Sequence, residues 1–97
     1  MRIIALSTLK EFWEKYPDSE EQLKAWYAVA KAADWDSPQS IKEAYGNSSI
    51  LKDGRVVFNI AGNKYRLIAW ANYPYRVLYI RFIGTHKEYD KIDAQTV

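Results

Sequence analysis

The sequence predicts an α+β fold, with helices over residues 7–45 and an antiparallel sheet over residues 49–85. Three observations predict it. Apolar residues recur at helical spacing as far as Tyr45, and the period drops to two from Ser48 onward. The strand-like runs are joined by turns of only a few residues, which antiparallel neighbours allow and parallel ones do not. Helices first and a meander afterwards imply helices packed on one face of a single sheet.

Taken in order, Arg2-Ile3-Ile4-Ala5-Leu6 reads as a short strand or as the lead-in to a helix. Ser7 is the expected N-cap of the first helix, with Leu9, Phe12, Trp13 and Tyr16 on its apolar side and Pro17 as its stop. Ser19-Glu20-Glu21-Gln22 has the spacing of a capping box. Leu23, Trp26, Tyr27, Ala30 and Ala33 continue a second amphipathic helix. Asp34-Trp35-Asp36 is a loop. Ser37-Pro38 opens a shorter helix, with proline in the first turn where its missing N–H costs nothing. That helix is expected to end at Tyr45-Gly46, with Gly46 as a left-handed cap.

Ser49-Ile50-Leu51 suits a short strand. Lys52-Asp53-Gly54 carries the Asp-Gly hairpin signature, followed by a strand from Arg55 to Ile60. Ala61-Gly62-Asn63 is a tight turn, Lys64 to Asn72 a strand, Tyr73-Pro74-Tyr75 a turn, and Arg76 to Ile83 a last strand. Alternation places Tyr65, Leu67, Ala69 and Ala71 on one face, with Lys64, Arg66, Ile68 and Trp70 on the other. It groups Val77, Tyr79, Arg81 and Ile83 opposite Leu78, Ile80 and Phe82, provided no bulge intervenes.

Composition bounds the chemistry. At 97 residues the chain is expected to form one domain spanning residues 1–97. It has no Cys, which excludes disulfides and thiolate metal sites, and its single His argues against a histidine zinc site. No metal and no cofactor is therefore expected. Charges at Lys10, Glu11, Glu14 and Lys15 interrupt any signal-peptide core, and no apolar run is long enough to cross a membrane, so a soluble, cytoplasmic protein is expected. The net charge of +2 is unevenly spread: residues 1–48 carry −2 and residues 49–97 carry +4. The basic half is the sheet half, which suits a phosphate-binding face or a scatter of solvated charges.

The chemistry concentrates near the end of the last strand. His86, the only histidine, follows Gly84-Thr85 and precedes Lys87 and Tyr89. Histidine exchanges a proton near neutral pH. Arg66 and Arg81 interrupt apolar strands, which suits either phosphate recognition by the guanidinium fork or an exposed cation that guards the sheet. Asn63 reads first as a turn former, and Asn59 as a site residue or a polar group paired across the sheet. RNA cleavage needs these residue types together. A base takes the 2′-hydroxyl proton, cations meet the charge growing on the phosphoryl oxygens, and an acid protonates the leaving 5′-oxygen. Tyrosine can donate a hydrogen bond or stack on an unpaired base.

Two segments carry a family resemblance: Val57-Phe58-Asn59-Ile60-Ala61-Gly62-Asn63-Lys64-Tyr65-Arg66-Leu67, and Tyr79-Ile80-Arg81-Phe82-Ile83-Gly84-Thr85-His86-Lys87-Glu88-Tyr89-Asp90. The opening helix with its Lys15-Tyr16-Pro17 stop agrees with them. The chain resembles the HigB-type toxins of bacterial type II toxin–antitoxin modules, within the wider RelE-like group. The resemblance implies a RelE-like fold and an mRNA endoribonuclease, often acting on mRNA held in the ribosome. It implies a cognate helix-turn-helix antitoxin of the HigA kind. It assigns the scissile phosphate to Arg66, acid or base work to His86 and assistance to Tyr89, with substrate contacts from Asn63, Lys64, Arg81 and Lys87. Two other classes stay open at this point. One is a non-catalytic toxin of the same superfamily acting by partner binding, and the other is an RNA-binding module that stacks bases without cutting. Mapping new mRNA ends in translating ribosomes separates the three.

Overall fold

The computed structural model describes all residues, Met1–Val97. Five strands form one sheet in the order β1-β5-β4-β3-β2. They are β1 (Arg2–Ile4), β2 (Ser49–Ile50), β3 (Arg55–Ile60), β4 (Tyr65–Asn72) and β5 (Val77–Thr85). Helices α1 (Leu6–Lys15), α2 (Glu20–Ala32) and α3 (Pro38–Ala44) precede the meander, and a one-turn helix α4 (His86–Tyr89) follows it. The meander is antiparallel as expected, but β1 pairs in parallel with β5, so the sheet is mixed.

The core lies between the helices and one sheet face. Leu9, Leu23 and Trp26 from the helices meet Phe58, Leu67, Ala69, Ala71 and Leu78 from the sheet. Full burial of each large apolar side chain stabilises the fold by roughly 1.5–3 kcal/mol. Trp35, whose loop position gave no hint of a role, is also buried; its ring stacks on Phe58 at 6.3 Å and meets Tyr45 edge-on. Val57 and Ile68 pair on the opposite face and are buried apart from this cluster.

The hairpin turns form where the sequence places them. Asp53 and Gly54 both have positive φ, as do Ala61 and Gly62, and Leu51 N–H bonds the Arg55 carbonyl across the first turn. An added Cβ at Gly54 would lie 2.7 Å from the Ala71 carbonyl oxygen, so the turn also needs glycine for space.

Four local expectations fail, each for a physical reason. α1 begins at Leu6 with extended Ala5 as its cap, so Ser7 lies inside the helix; Leu6 packs against the core and the Thr8 N–H closes the first turn on Ala5. Ser19 makes no capping box. A 3₁₀ turn at Pro17–Ser19 feeds straight into α2, which leaves Ser19 helical and buried, its hydroxyl donating to the Tyr16 carbonyl at 2.7 Å. Gly46 is not left-handed; the Ser48 N–H and hydroxyl return to the Tyr45 carbonyl and complete the end of α3 instead. Finally, a bulge between Ile68 and Ala69 leaves Arg81 without a partner opposite it. Beyond that point the faces of β5 invert, so Ile83 joins Leu78 and Ile80 against the core while Phe82 pairs with Ile68 on the other face.

Candidate functional site

The β3–β4 turn and α4 are tied to one another by backbone. Tyr65 lies opposite Thr85 in the ladder, and the His86 N–H donates to the Lys64 carbonyl at 3.1 Å. α4 itself is held by a true capping box. The Glu88 N–H donates to Thr85 Oγ1 at 3.1 Å, and the Thr85 N–H donates to Glu88 Oε1 at 2.8 Å. The Thr85 N–H holds the Glu88 carboxyl below its ordinary value. The Thr85-x-x-Glu88 spacing that signals this cap is present in the sequence.

α4 places His86 and Tyr89 three residues apart, on neighbouring positions of one helix face. The Arg66 guanidinium lies 5.8 Å from the Tyr89 ring centre. Its Nη1 donates to the carbonyls of Asn63 (2.9 Å) and Tyr65 (3.3 Å), so the turn's own backbone orients the fork. Gly84 is the cross-strand partner of Arg66. His86 Nδ1 lies 3.2 Å from Asp90 Oδ2. Asp90 lies on that side of the ring, and Nε2 is the nitrogen left without a side-chain partner. Asp90 was not singled out from the sequence, although its spacing of four from His86 is the signal that would have found it.

Beside His86 an open cleft of about 650 Å³ runs between the end of α1 and α4. His86, Lys87, Lys64, Tyr65 and Thr85 form one wall, and Lys15, Tyr16, Pro17 and Asp18 form the other. Asp18 reaches across it. Its Oδ1 accepts the Tyr65 hydroxyl at 2.5 Å, and its Oδ2 pairs with Lys64 Nζ. The Lys64 and Tyr65 hydrogen bonds hold the Asp18 carboxyl below its ordinary value, and Asp18 in turn raises Lys64. Burial, then the bond to Asp18, raises Tyr65. Lys64 was expected beside Arg66 on the sheet's outer face; it precedes β4 and turns to the helix layer, where a carboxylate awaits it. In the sequence Lys15, Tyr16 and Pro17 read only as the stop of α1 and Asp18 has no motif of its own; the packing of α1 against the sheet brings the four here.

The structure thus gathers six of the seven residues singled out from the sequence, His86, Arg66, Tyr89, Asn63, Lys64 and Lys87, around α4 and the β3–β4 turn. Arg81 stands apart at the middle of β5. Its Nε donates to the Val97 carbonyl at 3.4 Å, alongside Arg55 Nη2 at 2.8 Å, while the Gln95 side chain bonds both backbone groups of Lys52. Asn59 donates to the Asn47 carbonyl at 3.3 Å and so serves the sheet edge. No three His, Cys, Asp or Glu side chains cluster as metal ligands, and no helix is long and apolar enough to cross a membrane.

Comparison with known proteins finds relatives over nearly the whole chain. The family model described as HigB_toxin, RelE-like toxic component of a toxin-antitoxin system, matches residues 19–92. The mRNA interferase toxin HigB of Escherichia coli strain K12 is 34% identical over 96 residues, covering 97% of this chain and 92% of the relative. The mRNA interferase HigB of Escherichia coli O6:H1 strain CFT073 is 31% identical over 94 residues, covering 95% and 91%. That of Shigella flexneri is 34% identical over 96 residues, covering 97% of this chain and 92% of the relative. The chain belongs to the HigB toxin family, the RelE-like toxic components of toxin–antitoxin systems, and an antitoxin is therefore its partner.

Proposed function

We propose that this member of the HigB toxin family is a metal-independent endoribonuclease that cuts mRNA by attack of the 2′-hydroxyl on the adjacent phosphate. The observation that carries the reading is the placement of His86 and Tyr89 on one face of α4, with the Arg66 guanidinium from the start of β4 5.8 Å from the Tyr89 ring. Relatives covering nearly the whole chain are named mRNA interferases, which supports the same activity here.

Arg66 holds the scissile phosphate. Its fork is already aimed by two backbone carbonyls, so little reorganisation is needed when charge grows on the phosphoryl oxygens. His86 moves the protons, with Asp90 beside Nδ1 and Nε2 left for the RNA. The 2′-oxygen forms its bond to phosphorus as its proton leaves, the bond to the 5′-oxygen breaks, and that oxygen receives a proton. The products are a 2′,3′-cyclic phosphate and a 5′-hydroxyl. Tyr89, stacked against Arg66, donates to a phosphoryl oxygen or supports a base. Lys64 and Lys87 line the adjoining cleft and meet flanking phosphates, with Asn63 at its turn. Arg81, held at Val97, would touch RNA only on the sheet beyond this cluster. The whole chain acts as one toxin domain in the cytoplasm on mRNA held in the ribosome, and a helix-turn-helix antitoxin of the HigA kind neutralises it.

The test is to add the protein to a translating extract and map the new mRNA ends. Ends bearing a cyclic phosphate and a 5′-hydroxyl are expected, along with growth arrest in cells that the adjacent antitoxin relieves. Ends bearing a 5′-phosphate, lost on chelation from a substrate that does not itself need magnesium, overturn the mechanism. Unimpaired growth on strong expression of soluble protein overturns the toxin.

A further inference from the structure

Asp18 is an anomaly in the cleft. The other charged groups that line it are Lys15, Lys64 and Lys87, with His86 beside them. A carboxylate in a cleft that must admit a polyanion repels its substrate. Its contribution to stability is small as well: the Asp18 and Lys64 side chains are 48% and 60% exposed, and an ion pair so open to solvent adds little to folding.

Its geometry explains it. Tyr65 is 2% exposed, with its ring packed edge-on against Phe12 at 5.2 Å and tilted against Tyr16 at 5.6 Å. Its hydroxyl is thus fixed by the core and pins one carboxylate oxygen of Asp18 at 2.5 Å. The second oxygen is left to take Lys64 Nζ. The same Lys64 accepts the His86 N–H through its carbonyl. One acid from the 3₁₀ turn after α1 therefore reaches the tip of the β3–β4 turn, and that turn reaches the base of α4.

We propose that Asp18 is a positioning residue of this site: through Lys64 and Tyr65 it fixes the β3–β4 turn against α4 and aims the Lys64 ammonium into the cleft beside His86. The inference rests on the ribonuclease reading above. A flexible lysine on a mobile turn tip would lose its entropy only on meeting the RNA. A lysine already held over the cleft meets the flanking phosphate at less cost, and exchanges Asp18 for it.

The experiment is a double-mutant cycle measured as mRNA cleavage in a reconstituted translating extract. Asp18→Asn keeps an acceptor for the Tyr65 hydroxyl and is expected to fold with an unchanged melting temperature. It should slow cleavage by roughly 10-fold, as directly bonded partners commonly do. Lys64→Ala should slow it comparably, and the double variant Asp18→Asn/Lys64→Ala should be no slower than Lys64→Ala alone. Multiplying effects in the double variant overturn the proposal, because Asp18 then does not act through Lys64. Wild-type or faster cleavage by Asp18→Asn overturns it too, since the carboxylate would then merely screen the cleft. If Asp18→Asn melts early, Asp18→Ala at full melting temperature replaces it in the cycle under the same criteria. An absence of new ends with the unaltered protein removes the ribonuclease reading, and this inference with it.

Discussion

Each end of β4 has a basic residue tied to an acid from the helical layer, and the two ends behave differently. At one end Lys64 pairs with Asp18; at the other, in the β4–β5 turn, Arg76 Nε pairs with Asp34 at 2.5 Å. Around Arg76 the chain closes on itself. Its Nη1 donates to the Tyr73 carbonyl, its own carbonyl takes the Arg2 N–H at 2.8 Å, and its φ of 58° completes the turn. Around Lys64 the layers stand apart and leave the cleft, with the only histidine on its wall. The same kind of ion pair is a stitch where nothing else needs the space, and a placement device where an open cleft adjoins it. Charge pairing alone does not mark a site; what the paired groups border does.

The largest effect that would break this contrast is at the Arg66 and His86 side chains. His86→Ala should lower cleavage by about 10²–10⁴-fold with RNA binding nearly intact, and Arg66→Ala by a comparable factor. Arg66→Lys should fail to restore the rate, because an ammonium cannot present the planar fork that the Asn63 and Tyr65 carbonyls hold in place. End-mapping of mRNA measures all three, and full activity of a folded double alanine variant would remove the site from this end of the sheet.

A smaller effect belongs to Gly84, which lies opposite Arg66. An added Cβ there would sit 2.5 Å from Phe82 Cζ and 3.2 Å from Glu88 Oε1. Gly84→Ala should cost about 1 kcal/mol as the Phe82 ring yields, and should loosen the α4 cap. Thermal melting and amide exchange over residues 85–89 report the two separately.

Asp34→Asn sharpens the comparison from the other side. Asp34 is 80% exposed, so its loss should change stability by under about 1 kcal/mol and leave cleavage at the wild-type rate. A slowed Asp34→Asn would mean that the two ends are coupled and that the contrast is false.

The mildest test is pH. The carboxyls of Asp18 and Glu88 are both held below their ordinary values, so the unfolded chain binds more protons than the folded one in that range. Their contributions are complete above the unfolded values of 3.8 and 4.5, and are lost as pH falls through the lower folded values. Amide exchange at α4 should therefore stay protected from neutral pH down to about 5. Loss of protection at higher pH would show that these carboxylates do not hold the site end together.

Much of this molecule was written locally. The helix periods, the Pro17 and Ser37-Pro38 boundaries and the turns at Asp53-Gly54 and Ala61-Gly62 each depend on energies within a few residues, and all of them form as the sequence predicts. The cluster of His86, Arg66, Asn63, Lys64, Lys87 and Tyr89 was legible because one tight turn and one strand end hold it, and the ladder brings those two together. Ser19 and Thr85 mark the limit of even local signals: both stand three residues before Gln or Glu, but only Thr85 has the extended backbone a cap requires.

What the tertiary structure alone decided are contacts between distant segments. The parallel docking of β1 on β5, the bulge that leaves Arg81 unmatched and turns Ile83 inward, the return of Val97 to Arg55 and Arg81, and the reach of Asp18 to Lys64 have no local signature. Each is chosen by how the layers pack over the whole core. Alternation says that residues share a face, but a single extra residue reverses which face that is, and only the summed burial of Leu78, Ile80 and Ile83 determines where the reversal falls.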